Sequence, residues 1–124
     1  MKRDETRKHP IIWKSWLTAA RGFIWVVKSE KKVRLGFFVA FIFVALAIGM
    51  KASSLETLLI LFAWIQVIVG EIFNTALEKA MDYSSDKEFH PLIKRGKDYA
   101  AASVFVLSVL ATFISLFILS IRYF

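Results

Sequence analysis

Cysteine is absent from the 124 residues, which removes disulfides and thiolate metal sites from consideration. The phosphate-cradling motifs of soluble nucleotide enzymes are missing as well. No G-x-x-x-x-G-K-[ST] loop occurs: Gly96-Lys97 is followed by Asp98, and Pro91 stands where the first glycine would be. No Gly-rich kinase loop with a His-Arg-Asp partner is present. Internal repeats and low-complexity linkers are also lacking. A cleaved signal peptide is not expected, because the first apolar run begins 34 residues in and no small-residue cleavage site follows it. Proline is confined to Pro10, where a helix can begin without losing a bond, and Pro91, where a loop closes.

What the chain does have is apolar residues, 57% of the total, against about 45–50% in an ordinary soluble domain. They collect in three nearly uncharged runs, Leu35–Met50, Thr57–Gly70 and Tyr99–Ile121. A helix needs about 20 residues to cross a hydrocarbon core of about 30 Å. The third run spans by itself. The second spans if it continues through Leu77, which brings Glu71 and Asn74 inside the segment. The first is short at 16 residues, but Arg34 and Lys51 at its ends can reach the headgroups. A soluble bundle would need polar helix faces that these runs lack. The expected fold is therefore an all-α integral membrane protein, a single domain over 1–124. It has a charged, frayed stretch at 1–9, a surface helix over 11–30, and membrane helices over 33–51, 56–82 and 92–121.

The formal charge is +7, but its distribution excludes nucleic acid as the partner. Ten of the 17 basic residues precede position 35, and five more lie between Lys79 and Lys97. Lys and Arg gather on the cytoplasmic side of membrane proteins. The N-terminus and the 83–98 loop should therefore face the cytoplasm, and the 51–56 turn and Phe124 the other side. A multi-pass membrane protein with a cytoplasmic N-terminus follows.

Residues 11–30 are amphipathic at helical spacing. Lys14, Thr18, Arg21 and Lys28 share a narrow arc, with Ile12, Trp16, Ala19, Phe23 and Val26 opposite. A basic stripe backed by Trp and Phe suits a helix lying on an anionic leaflet. Glu30 breaks the pattern. If the helix reaches it, its carboxylate falls on the apolar side; if the helix ends at Ser29, it stands in water. Farther on, the small residues Ala100-Ala101-Ala102-Ser103 are expected to let helices approach closely.

The end of the second span carries the chemistry. Glu71, Asn74, Glu78 and Asp82 are spaced by three, four and four, so they lie within roughly 80° on one helix face. A carboxylate at membrane depth costs several kcal/mol unless paired or solvated, and such groups are usually functional. Phosphoryl transfer needs a divalent metal held by oxygen, a base near the attacking hydroxyl and cations on the phosphates. Glu30 and Glu78 can supply metal oxygens, and Lys97 can meet phosphate charge. Glu71, deepest in the row, suits a general base. Proton or cation transport uses similar carboxylate rows and is the rival class.

The stretch Glu71-Ile-Phe-Asn74-Thr-Ala-Leu-Glu78, with Asp82 four residues on and Lys97-Asp98-Tyr-Ala-Ala-Ala downstream, resembles the prokaryotic diacylglycerol kinase family. That family includes relatives that phosphorylate undecaprenol. The segment from Gly22 through Ser29-Glu30-Lys-Lys-Val-Arg34 is similar to its amphipathic helix and following turn, and the likeness covers roughly residues 14–121. The resemblance implies a homotrimer of three-span subunits whose active sites are shared between neighbours. It implies ATP-dependent phosphorylation of diacylglycerol, or alternatively of undecaprenol, with Mg²⁺. Glu71 would be the base on the lipid hydroxyl and Asn74 would orient the reacting groups. Glu30 and Glu78 would hold Mg²⁺ against ATP, with Asp82, Glu88, His90, Lys97 and Asp98 also at the nucleotide. Lys14 and Thr18 stand near where the family's surface helix carries an arginine and an aromatic, places taken here by Ile11 and Thr18. Arg21 and Arg34 would join Glu71 at the lipid. His90-Pro91-Leu92 is more similar to the undecaprenol branch. A scaffold that has lost activity would be expected to lack at least one of these groups, and all are present.

Overall fold

Helix-forming sequence fills nearly all of residues 12–124, the part of the chain described by the computed structural model. The four helices are α1 (Ile12–Ser29), α2 (Lys31–Gly49), α3 (Ser54–Ser84) and α4 (Pro91–Tyr123). The 1–9 stretch and Ile11 lie outside the described residues.

The boundaries have local causes. Glu30 is extended (φ −114°, ψ 111°), so α1 stops at Ser29 and the chain turns directly into α2. The surface helix is thus one residue shorter than its periodicity suggests, and the first membrane helix starts at Lys31 rather than 33. It ends at Gly49, because the chain leaves helical geometry at Met50 and Lys51 adopts a left-handed φ of 61°. Ser53 and Glu56 then form a reciprocal capping box, each side chain accepting from the other's backbone N–H. At the far end of α3 a six-residue loop, 85–90, leads to His90. Its Nδ1 accepts from the Leu92 N–H at 3.1 Å, and Pro91 occupies the first helical position.

α2, α3 and α4 are long and apolar enough to cross a membrane. α3 and α4, at 31 and 33 residues, exceed the length needed to span by about ten residues each. That surplus carries most of the candidate site. Their outward faces are large and apolar: Phe41, Phe62 and Phe105 are each more than half exposed. Such a surface is stable against lipid and not against water. The protein is an all-helical, multi-pass membrane protein.

α3 is the central element, packed against α2 on one side and α4 on the other, each antiparallel to it. Ala40 and Ala47 of α2, Ile60, Trp64 and Val67 of α3, and Ala111 and Ile118 of α4 form the core. Phe43 stacks on Trp64 with ring centroids 5.4 Å apart. Close approach occurs where Gly36 faces Ile68; a Cβ at Gly36 would come within 3.1 Å of the Ile68 side chain. The run Ala101-Ala102-Ser103 does not serve that purpose within one chain. It is exposed, and α4 turns Val104, Ala111, Ser115 and Ile118 inward instead. α1 buries no residue completely and rests on α2 through an edge-to-face contact of Phe23 with Phe37.

One buried side-chain bond joins α3 to α4: Trp64 Nε1 donates to Ser115 Oγ at 2.9 Å. Interhelical bonds of this kind contribute about 0.6–2 kcal/mol in a membrane. Trp64→Phe is expected to lower stability by about 1–2 kcal/mol, through the lost bond and reduced ring area. Adding Ser115→Ala should then cost little more. Unfolding in mixed micelles checks this, and full additivity of the two substitutions would deny the bond a stabilising role.

Candidate active site

The face of α3 that bears Glu71, Asn74, Glu78 and Asp82 divides into a lipid-side and a water-side half. Asn74 and Thr75 are buried at the junction. The Asn74 amide donates from Nδ2 to Glu78 Oε1 at 3.3 Å, a contact that four-residue helical spacing makes natural. Its own Oδ1 is buried without a partner, and so is Glu71 Oε2. Two orphaned oxygens one turn apart in an interior are unusual, because such groups are nearly always satisfied.

Glu71 opens onto a narrow cavity of about 150 Å³. Its walls are Leu35, Gly36 and Val39 of α2 with Trp64 and Val67 of α3, and its polar members are Lys32, Ser108 and Glu71 itself. The groove is thus mainly hydrocarbon, with a carboxylate in its wall.

The water-side half is a second cavity, about 350 Å³, where the 85–90 loop meets the ends of α3 and α4. Asp82, Glu88, His90 and Lys97 all line it. Lys97 pairs with Asp82, tying α4 to α3. Asp98 is placed differently: it accepts from Lys94 Nζ at 2.7 Å on the exposed side of α4 and does not line the cavity. Neighbouring residues on a helix point about 100° apart, which is why Lys97 and Asp98 part company.

The remaining candidates come from α1 and the turn after it. Glu30 lies 3.6 Å from Lys79 Nζ on α3. Arg34 Nη1 donates to the carbonyls of Val27 (2.9 Å) and Lys28 (2.7 Å), closing the last turn of α1. Lys14, Thr18 and Arg21 are exposed along α1, and the Thr18 hydroxyl donates back to the Lys14 carbonyl at 3.0 Å. No hydrogen bond or ion pair among the described residues joins these three to the carboxylates of α3.

Several site-lining residues escaped the sequence reading. Lys87 and Phe89 line the larger cavity, and Asp86 and Lys87 both take left-handed φ values, 54° and 61°. A loop has no period to reveal such placements. Nothing in the sequence signals that Lys79 would face the Glu30 carboxylate or that Lys32 would line the groove beside Glu71.

The family described as prokaryotic diacylglycerol kinase matches the chain over residues 17–119. The chain is 30% identical to the undecaprenol kinase of Bacillus subtilis (strain 168) over 116 residues, 94% of each protein. It is 48% identical to the diacylglycerol kinase of Helicobacter pylori (strain ATCC 700392 / 26695) over 46 residues, which are 37% of this chain and 34% of that one. A diacylglycerol kinase from the J99 strain of the same species is 44% identical over 46 residues, with the same shares covered.

Proposed function

Because the chain belongs to the prokaryotic diacylglycerol kinase family, we propose that it transfers the γ-phosphoryl group of ATP to the hydroxyl of a membrane lipid alcohol. The observation that carries this reading is Glu71. It lines a groove walled mainly by hydrocarbon and keeps one carboxylate oxygen buried without a partner, while the same helix face continues to a water-side cavity lined by Asp82 and Lys97. A lipid alcohol entering the groove meets a proton acceptor, and a nucleotide in the cavity meets cations.

The chemistry follows from that division. The Glu71 carboxylate takes the proton of the lipid hydroxyl, whose oxygen attacks the γ-phosphorus as the bond to ADP breaks. The deprotonated oxygen thereby becomes part of a phosphate monoester, and Glu71 releases the proton afterwards. Asn74, bonded to Glu78, sets the orientation of the carboxylate that follows it along the helix. Lys97 leaves Asp82 for the phosphates, where its charge counts for more. Glu88 and His90 border the nucleotide from the loop.

Mg²⁺ fits this donor set. A hard cation is commonly held by one or two carboxylates together with nucleotide phosphates. No group of three acidic or histidine side chains converges among the described residues, so these side chains would hold a cation only together with ligands from outside the chain, such as the phosphates of ATP. Glu30 and Glu78 would hold it, and it would supply neutralisation of charge on the transferred group.

A primary polyprenol such as undecaprenol is the first reading of the lipid. The relative matched over 94% of its length is an undecaprenol kinase. Diacylglycerol is the second reading, supported by the higher identity of the shorter matches. The site would face the cytoplasm of a bacterial inner membrane. A homotrimer would cover the exposed Ala101-Ala102-Ser103 run and share its active sites between neighbouring subunits. ATP labelled in its γ-phosphate, offered with undecaprenol and diacylglycerol in parallel mixed micelles, tests the proposal. Label in the polyprenol supports the first reading and label in diacylglycerol the second. Label in neither, from folded protein, denies both.

A further inference from the structure

Glu30 stands at the residue from which a side chain ordinarily caps a helix, yet its carboxylate makes no bond to the free N–H groups of α2. It turns toward α3, where Lys79 Nζ lies 3.6 Å from its Oε1. Lys79 is the residue after Glu78 on α3, so the cation facing Glu30 is borne by the same helical turn as the second carboxylate of the proposed Mg²⁺ pair, though on a direction about 100° away. Arg34, one turn beyond Glu30, is occupied by the carbonyls of Val27 and Lys28.

The contact is built to exchange. At 3.6 Å it is an ion pair without a short hydrogen bond, and the Lys79 side chain is 72% exposed while that of Glu30 is 27% exposed. An exposed ammonium gives up such a partner at little cost. A divalent cation competes for the same oxygen with twice the charge and a preference for carboxylate. We infer that Lys79 is a stand-in cation: it holds the Glu30 carboxylate toward α3 before the nucleotide arrives, then yields that oxygen to Mg²⁺. This rests on the assignment of Glu30 and Glu78 to the metal. Lys79 is a positioning residue, acting through Glu30. Once displaced, its ammonium stays beside the site and adds to the positive field met by the phosphates.

Removing Lys79 should therefore have two opposite effects. Without metal, ATP loses an attracting charge and binds less well. With metal, the ion no longer has to displace a competitor. The measurement is the affinity for a non-hydrolysable ATP analogue, by calorimetry in micelles without lipid substrate, with saturating Mg²⁺ and with a chelator. The ratio of the two affinities isolates the contribution of the metal. Lys79→Met keeps the aliphatic stem and the helical preference of the position. It is expected to raise the ratio about three- to fivefold, the equilibrium equivalent of an exposed ion pair, and less at high salt. Lys79→Arg, which keeps a cation there, should stay within about twofold of the unaltered protein. An unchanged or smaller ratio in Lys79→Met, with a clear metal effect in the unaltered protein, overturns this inference alone. Absence of any metal effect in the unaltered protein overturns the metal assignment of Glu30 and Glu78 and this inference with it.

Discussion

Glu71→Gln lowers the rate of lipid phosphorylation by about a thousandfold, within the range assigned to a positioned general base, and leaves the helical bundle intact. The substitution is nearly isosteric and removes only the charge and the proton-accepting oxygen. Glu71 Oε2 has no partner in the folded chain, so no internal bond to that oxygen is lost, and a buried amide is cheaper to desolvate than a carboxylate. Glu71 does not line the larger cavity, so affinity for the ATP analogue should stay within about twofold, an allowance for helix-borne strain. Steady-state phosphorylation and analogue binding on the same preparation check both halves. Unchanged turnover would place the base elsewhere. The result also separates the classes: a cation-conducting protein with this carboxylate row would show no lipid phosphorylation to lose.

Glu78→Gln is the second large effect. A glutamine there can still accept from Asn74, preserving the 3.3 Å bond inside α3, so the helix face is retained while one negative charge is withdrawn. If Glu78 holds Mg²⁺, kcat/KM at fixed metal falls by roughly a hundredfold or more, the order lost when a charge-stabilising group is removed. Added Mg²⁺ should restore part of the loss. A metal titration whose midpoint does not move would take Glu78 out of the metal site. Glu78→Ala should behave worse at every metal concentration, because it also strands the Asn74 amide.

The three spans were legible because length and hydrophobicity are properties of the sequence itself, and nothing local competes with a run such as Tyr99–Ile121. The polar stripe on α3 was legible for a related reason: helical spacing alone puts Glu71, Asn74, Glu78 and Asp82 on one face. Two kinds of information were not accessible. Periodicity could not decide the fate of Glu30, since a single extended residue between two helices changes no repeat. Whether Lys97 or Asp98 enters the cavity depends on how α4 is rotated against α3, and that is set by distant packing at Val104, Ala111 and Ile118. The groove beside Glu71 is built from Leu35, Val39, Trp64 and Val67, residue types that look the same in a solid core. The small-residue run 100–103 shows the limit from the other side: its composition signals close approach, but not to which neighbour.

Two lysines hold the backbone in a left-handed conformation, Lys51 at one end of the bundle and Lys87 at the other, with φ 61° at each. A residue with a side chain is disfavoured there by about 1 kcal/mol or more, and glycine is not. The two positions differ in what the lysine touches. Lys51 lies in the turn between α2 and α3, away from both cavities, whereas Lys87 lines the larger one. An engineer seeking a hardier protein would find the same backbone relief at both sites, but only at 51 does it come without removing a charge from the wall of the larger cavity.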